Sequence, residues 1–418
     1  MTAAVEMDGR DGDKASLPQA LLLAGIGVSS AGTGLVLPLT ALYLTGILQA
    51  GSGAVGLYFA LTAGSAFLAN PFAGRIADRR SPVPVIFGAL LFQAAGAIVL
   101  SLSGNLEQAS VAAVLAGIGN GSYYAVLMPT VKLIFGQSAL GRFFSRNFMI
   151  ANVAVAVAAA ASGVVVASWG ERGYRLCFAA NALSFVLLGV ALAAQLKRTP
   201  PAALGSDVRV RPLAPWRPYL DARFVALPLT QLCIIGFGVV QLEAIMPLVL
   251  HDYGGYSTRI VSVFLAANGL AVFALQTLTE KYVERIGEIG ALQRAVIVWI
   301  VSLPLLYLGS VLAGPVGVAV VILYAVIFGF AETLVSPSMQ PLAAKSAPEG
   351  SLGTYAAAVS MAYSIGTAIG PAIGAAVLTA GGVAGYLTLL AVVLLVPLPL
   401  LARHRRVMRR PELSGAGA

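Results

Sequence analysis

Hydrophobic residues in this chain gather in long, nearly unbroken runs separated by short polar clusters, rather than alternating or recurring on one helical face. A run of about 18 residues or more is what a helix needs to cross ~30 Å of hydrocarbon. Inside lipid the backbone polar groups must bond within the segment, which makes helix the expected state. Twelve such runs are read, at about 18–43, 54–75, 83–104, 108–134, 144–168, 175–196, 223–250, 257–279, 289–312, 315–338, 351–379 and 381–402. The longest interruption is 197–222, KRTPPAALGSDVRVRPLAPWRPYLDA, rich in Pro and Arg, and it divides the runs six and six. The pattern predicts an all-α integral membrane protein with twelve transmembrane helices in two six-helix bundles, 18–196 and 223–402. A tail (1–17), the linker 197–222 and a basic tail (403–418) lie outside them.

Composition narrows the class. Of 418 residues, 58% are hydrophobic and 10% charged, where an ordinary soluble domain carries about 25% charged residues. Twelve spans leave no room for a large soluble catalytic domain. The net charge of +9 invites a nucleic-acid reading, but the basic residues sit in short clusters between apolar runs, not on one face interleaved with aromatics. Cys177 and Cys233 both fall inside apolar runs, as packing residues rather than a disulfide or zinc pair. The first 16 residues mix acids and bases, with no small-residue cleavage pattern after a short apolar region, and are read as a cytosolic tail.

Where Lys and Arg fall sets the expected orientation, because cytoplasmic loops hold an excess of them. One side holds Arg10 and Lys14, then Arg75, Arg79 and Arg80, then Lys132, Arg142 and Arg146. The same side continues with Lys197, Arg198, Arg209, Arg211, Arg217 and Arg223, then Lys281, Arg285 and Arg294, Lys345, and Arg403, Arg405, Arg406, Arg409 and Arg410. Of the 26 basic residues only Arg172, Arg175 and Arg259 fall on the other side. A single miscounted span would destroy this bias, so it supports twelve spans with both termini cytoplasmic in the plasma (inner) membrane. The tail from Arg403 to Arg410 is expected to meet anionic lipid headgroups.

The halves also resemble each other. A shift of 212 residues lays 117–143 on 329–355 and brings Gly117 onto Gly329, Pro129 onto Pro341, Gly141 onto Gly353, and Phe143 onto Tyr355. Parallel six-helix repeats place a substrate site near mid-membrane between the halves, which points to a transporter.

After the second span stands Gly74-Arg75-Ile76-Ala77-Asp78-Arg79-Arg80, in the expected loop between spans two and three. It resembles the G-x-x-x-D-R/K-x-G-R/K-R/K signature of the major facilitator superfamily, with Ser81, Pro82 and Val83 where that family has Gly and two basic residues. The resemblance implies that Asp78, with Gly74, Arg75, Arg79 and Arg80, helps hold the cytoplasmic side closed by a charge and helix-dipole contact with the other half. Three short stretches look like twelve-span drug:proton antiporters: Gly141-Arg142-Phe143-Phe144-Ser145, Gln241-Leu242-Glu243-Ala244-Ile245-Met246-Pro247 and Phe328-Gly329-Phe330-Ala331-Glu332. The family's Gly-Pro antiporter signature is absent from span five. A look-alike, Gly366-x3-Gly370-Pro371-x2-Gly374, lies in span eleven, where small residues at spacing four serve close helix packing.

Acids at membrane depth are costly unless they face a cavity or a partner, and two stand out, Glu243 in span seven and Glu332 in span ten. Either could carry a coupling proton, Glu243 having a rim position and Glu332 an interhelix pair as its structural alternative. Asn120, Tyr123 and Tyr124 share one face of span four, and Glu332, Ser336 and Gln340 follow the same spacing in span ten. With Ser29, Thr33, Thr40 and Tyr43 in span one, and Gln241 in span seven, they form the candidate lining of a cavity for an amphipathic or cationic organic compound.

Several matches are set aside. Gly117-Ile118-Gly119-Asn120-Gly121 imitates a phosphate loop inside an apolar span, and Asn120-Gly121-Ser122 is too deep for glycosylation. No Walker lysine motif accompanies them, and His251 and His404 lack metal-ligand spacing. No metal, organic cofactor or enzymatic activity is expected. The expected function is export of a small organic compound in exchange for protons, powered by the proton gradient, by a monomer in contact with membrane lipids and without nucleic acid. An importer or uniporter of a small metabolite such as a sugar or organic acid, and a non-transporting membrane sensor, are the alternatives.

Overall fold

The computed structural model describes residues 17–50, 52–198, 216–222, 224–312 and 314–408. Most of the two tails and of the linker, with the basic residues assigned to them at 10, 14, 209, 211, 223, 409 and 410, lies outside the described residues. The described chain is helical throughout, with no strand. Eleven segments are long and apolar enough to cross a membrane. The last, Leu352–Met408, has 57 residues, which as one helix would run about 85 Å against a core of ~30 Å. It breaks at Gly382, whose φ of +60° and ψ of −165° belong to a region essentially reserved for glycine. Dividing it there gives twelve helices.

They are α1 (Leu17–Val36, continued by Leu39–Leu42 and a π turn), α2 (Ser52–Arg79), α3 (Pro82–Leu102), α4 (Leu106–Phe135), α5 (Leu140–Trp169) and α6 (Glu171–Leu196). The second half holds α7 (Ala226–Ile234, extended through a π turn, Ile235–Val239, to Ala244), α8 (Thr258–Ile286), α9 (Glu288–Val311), α10 (Gly314–Ser346), α11 (352–381) and α12 (383–408). Helix ends follow local chemistry. The Ser81 hydroxyl accepts from the Val83 N–H at 3.2 Å with Pro82 opening α3, and Asn105 Oδ1 accepts from the Gln108 N–H at 2.9 Å to start α4. Several sequence boundaries shift, with α8 and α10 running on to Ile286 and Ser346. The Gly74–Arg79 stretch, expected in a loop, forms the last turns of α2, and helix continues through Met408 into the expected basic tail.

The glycine run of span four is explained by packing. A side chain on Gly117 or Gly121 would overlap the backbone of α2 at Thr62 or Ala66, and one on Gly119 would come within 2.7 Å of the Ala89 carbonyl oxygen in α3. Glycines at spacing two and four therefore seat α4 against both neighbours and leave Asn120 pointing elsewhere. In the second half, Gly366 and Gly370 of α11 close on Gly236 in the π turn of α7.

Within the first half, α4 packs on α2 and α3, and α1 on α5 and α6; in the second, α10 packs on α8 and α9. The halves meet where α11 crosses α2 and α4, and where α5 crosses α8 and α10.

Candidate functional site

One end of the bundle carries Arg75, Arg79, Arg142 and Lys345 and is termed the basic face. There Asp78, on the last turn of α2, faces the start of α11. Its Oδ1 accepts from the Gly353 N–H at 2.6 Å, and its Oδ2 accepts from the Thr354 N–H at 2.7 Å and the Thr354 hydroxyl at 2.5 Å. These N–H groups belong to a first helical turn, which has no intrahelical acceptor for them and carries the positive end of the helix dipole. The approach depends on two glycines, because a Cβ on Gly74 would overlap the Gly353 carbonyl and one on Gly353 would overlap that of Gly74.

A second seam joins the end of α8 to the start of α5. Glu280 accepts from the Ser145 hydroxyl at 3.2 Å, and Ser145 Oγ accepts from Gln276 Nε2 at 2.8 Å. Arg142 lies 3.4 Å from Glu280 and 3.6 Å from Glu284. Nearby, the Ser336 hydroxyl donates to the Phe144 carbonyl at 2.9 Å and Gln137 Nε2 to the Pro341 carbonyl at 3.4 Å. The seams are counterparts, one at a backbone N-terminus and the other built from side chains. Every one of these bonds between the halves lies at the basic end.

Toward the other end the first half encloses a cavity of about 440 Å³. Its lining runs up α1 from Ser29 through Thr33 to Thr40, with Gln93, Asn120, Tyr123, Tyr124, Asn147 and Asn181 from the other helices of that half. No Asp, Glu, Lys, Arg or His takes part. Gln93 Nε2 is buried without a partner among the described residues. The volume suits a small organic molecule, held by apolar contact and a few neutral hydrogen bonds.

At the cavity rim Tyr124 stacks on Tyr363 of α11, with ring centroids 6.1 Å apart and planes 24° from parallel. Both rings keep open surface, 50% and 39% exposed. Glu243 of α7 is exposed and close enough to Tyr363 and Glu332 for its charge to act on both. Glu332 itself is 5% exposed, and its Oε2 accepts from Asn268 Nδ2 of α8 at 3.0 Å. The uncharged cavity belongs to one half and the acids to the other, and the tyrosine pair bridges them.

The sequence matches the Major Facilitator Superfamily over residues 22–371. The chain belongs to the major facilitator superfamily. No curated protein matches it. Its fold is similar to the crystal structure of a bacterial homologue of the iron transporter ferroportin in an outward-facing state, with a TM-score of 0.77 and 15% identity over 94% of this chain and 100% of that one. A second structure of such a homologue, with soaked iron, gives 0.73 at 17% identity, covering 94% and 99%. The human organic anion transporter MFSD10 gives 0.70 at 17% identity, covering 92% and 98%. At these identities the likeness shows a transporter fold, not a substrate.

Within this major facilitator frame the residues singled out from sequence part into three groups. Thr33, Thr40, Asn120, Tyr123 and Tyr124 meet at the cavity, whereas Glu243 is exposed outside its lining. Gly74 and Asp78 lie in the first seam, with Arg75 half-buried and its Nε unpartnered, and Arg79 and Arg80 exposed. The rest correct the sequence reading. Tyr43 is fully buried, with its hydroxyl donating to the Ser103 carbonyl at 2.6 Å and its ring edge-on to Phe178. Gln241 is fully buried too, donating to the Gly236 carbonyl at 2.6 Å across the π turn and accepting from the Tyr386 hydroxyl at 3.0 Å. Ser336 belongs to the second seam, and Gln340, one turn further along α10, is half-buried away from the cavity. Glu332 lies outside the cavity lining and has the interhelix pairing named as its structural alternative, with Asn268.

Sequence reasoning missed Gln93, Asn181 and the Glu280–Ser145–Gln276 seam. The last had a signal: Glu280 and Glu284 end span eight as Asp78 ends span two.

Proposed function

We propose that this protein is a secondary transporter that exports a small amphipathic organic cation in exchange for protons, with the basic face and both termini on the cytoplasmic side of the plasma (inner) membrane. The neutral cavity of the first half holds the body of the substrate. Its positive group reaches past the Tyr124–Tyr363 pair toward Glu243, where cation–π attraction and a carboxylate act together. Substrate and proton then exclude each other at one carboxylate, which is the condition for exchange. Glu332 takes a positioning role, joined to Asn268 between α10 and α8. On this reading the latched basic end belongs to the state in which the exporter releases substrate and takes up a proton.

The observation that carries this reading is the exposed Glu243 within electrostatic reach of Tyr363, which stacks on Tyr124 of an uncharged cavity. Substrates named for the similar structures fit less well. An organic anion would need a basic partner, and no Lys or Arg lines the cavity. For iron, no group of three or more His, Cys, Asp or Glu gathers among the described residues. The test is equilibrium binding of a lipophilic cation, tetraphenylphosphonium, to the purified protein across pH, beside a neutral analogue of similar shape. The cation should lose affinity as pH falls and the analogue should not. Tighter binding of organic anions, or cation binding indifferent to pH, would overturn the reading.

A further inference from the structure

On the outer wall of the first half, α2 and α3 diverge because α4 packs against both. The gap is a groove of about 610 Å³, lined by Leu68, Phe72, Ile76, Phe92 and Ile118 and ending at Arg80, where α2 turns into α3. Leu68 and Phe72 are each 63% exposed, so the walls stand open to the bilayer. The polar groups deep in the groove are the hydroxyls of Ser65 and Ser122, and that of Ser65 is bonded back to the Leu61 carbonyl at 2.7 Å. Small residues keep the groove deep: a Cβ built on Gly88 meets nothing within 4 Å. The fifteen steps from Ser65 to Arg80 rise about 22 Å along α2, longer than the ~15 Å of one leaflet's hydrocarbon.

The charge at the mouth has no partner among the described residues. Arg80 is exposed and makes no ion pair with any of them. The acid nearest in sequence, Asp78, has both carboxylate oxygens engaged by α11. A cation at the membrane surface above an apolar trough the length of an acyl chain has one complementary occupant.

We infer that the α2–α3–α4 groove is a binding site for an anionic phospholipid of the leaflet at the basic face, its acyl chain along Leu68, Phe72 and Phe92 and its phosphate on Arg80. This site is separate from the transport cavity, which lies on the other side of α2 and α4, and its test does not depend on the substrate.

The test is native mass spectrometry of the full chain in detergent, titrated with phosphatidylglycerol or with phosphatidylcholine of the same acyl chains. One phosphatidylglycerol should be retained saturably and in preference to phosphatidylcholine. Arg80→Gln should weaken phosphatidylglycerol about fivefold, the effect of one basic residue at a membrane surface, while leaving phosphatidylcholine unchanged and Arg80→Lys keeping most of the preference. Gly88→Leu, which fills the trough, should weaken both lipids. Arg80 is exposed, so its variants read headgroup recognition even if Gly88→Leu does not fold. Equal retention of the two lipids, unsaturable binding typical of annular lipid, or a preference that survives Arg80→Gln would overturn the assignment.

Discussion

Replacing Asp78 with Asn changes one charge and one acceptor with little change of shape. Asp78 holds three donors of α11 with two oxygens. Asn keeps one oxygen for the Gly353 N–H but turns an NH₂ toward Thr354, where it meets the backbone N–H donor to donor and can be accepted only by a rotated hydroxyl. The loss is one to two charge-assisted hydrogen bonds and the charge–dipole attraction, about 2–4 kcal/mol. That energy exists only while the basic end is closed, so the ratio of closed to open molecules should fall about 30-fold to nearly 1000-fold. Gln340, one turn beyond Ser336 in the second seam, provides the reporter. A single cysteine there, with the buried Cys177 and Cys233 replaced by Ala, would be labelled by an impermeant maleimide from the basic face. The Asp78→Asn protein should label at least tenfold faster than its parent and transport more slowly. Labelling within twofold of the parent would refute the argument that these three bonds hold the end shut.

Glu280→Gln should weaken the second seam less, about 1 kcal/mol, because its partner Arg142 is 44% exposed; the parent protein's labelling at position 340 should then rise with added salt, and that rise should shrink in Glu280→Gln, where only the Arg142–Glu284 pair remains. Gly382→Ala forces a side chain into a conformation with φ of +60°, and should cost about 1–3 kcal/mol, read as a lowered melting temperature in detergent with the overall helix content unchanged. Asn268→Leu strands the buried Glu332 carboxyl without its donor and should lower thermal stability by about 1–3 kcal/mol, while Glu332→Gln, which keeps the shape and one acceptor, should be milder.

Much of the architecture was legible because lipid imposes it: each span must be a long apolar helix, and each return must be a short polar turn. Ser81-Pro82 and Asn105 stand at two such turns. Gly366, Gly370 and Gly374 were legible as packing, since spacing four puts small residues on one stripe; the first two meet Gly236 and the third Gln241. The cavity was half legible. Thr33, Thr40, Asn120, Tyr123 and Tyr124 were found because polar residues in an apolar helix must face something other than lipid. The same argument misplaced Tyr43 and Gln241, whose polar ends are satisfied by the Ser103 and Gly236 carbonyls. Spacing gives the stripe but not the partner, and the π turn at Ile235–Val239 rotates the rest of α7 in a way a helical wheel does not show. For Glu332 the interhelix pair was legible as an alternative but its partner was not, since Asn268 lies 64 residues away on another helix.

The most direct test of coupled transport is proton counterflow in vesicles containing the purified protein and an internal pH dye. Addition of tetraphenylphosphonium should drive protons the opposite way in the parent and in Glu332→Gln, and should fail to do so in Glu243→Gln although that variant still binds a neutral analogue. Undiminished proton exchange in Glu243→Gln, or cation movement in the parent with no proton movement, would contradict the assignment of Glu243 as the group that substrate and proton share.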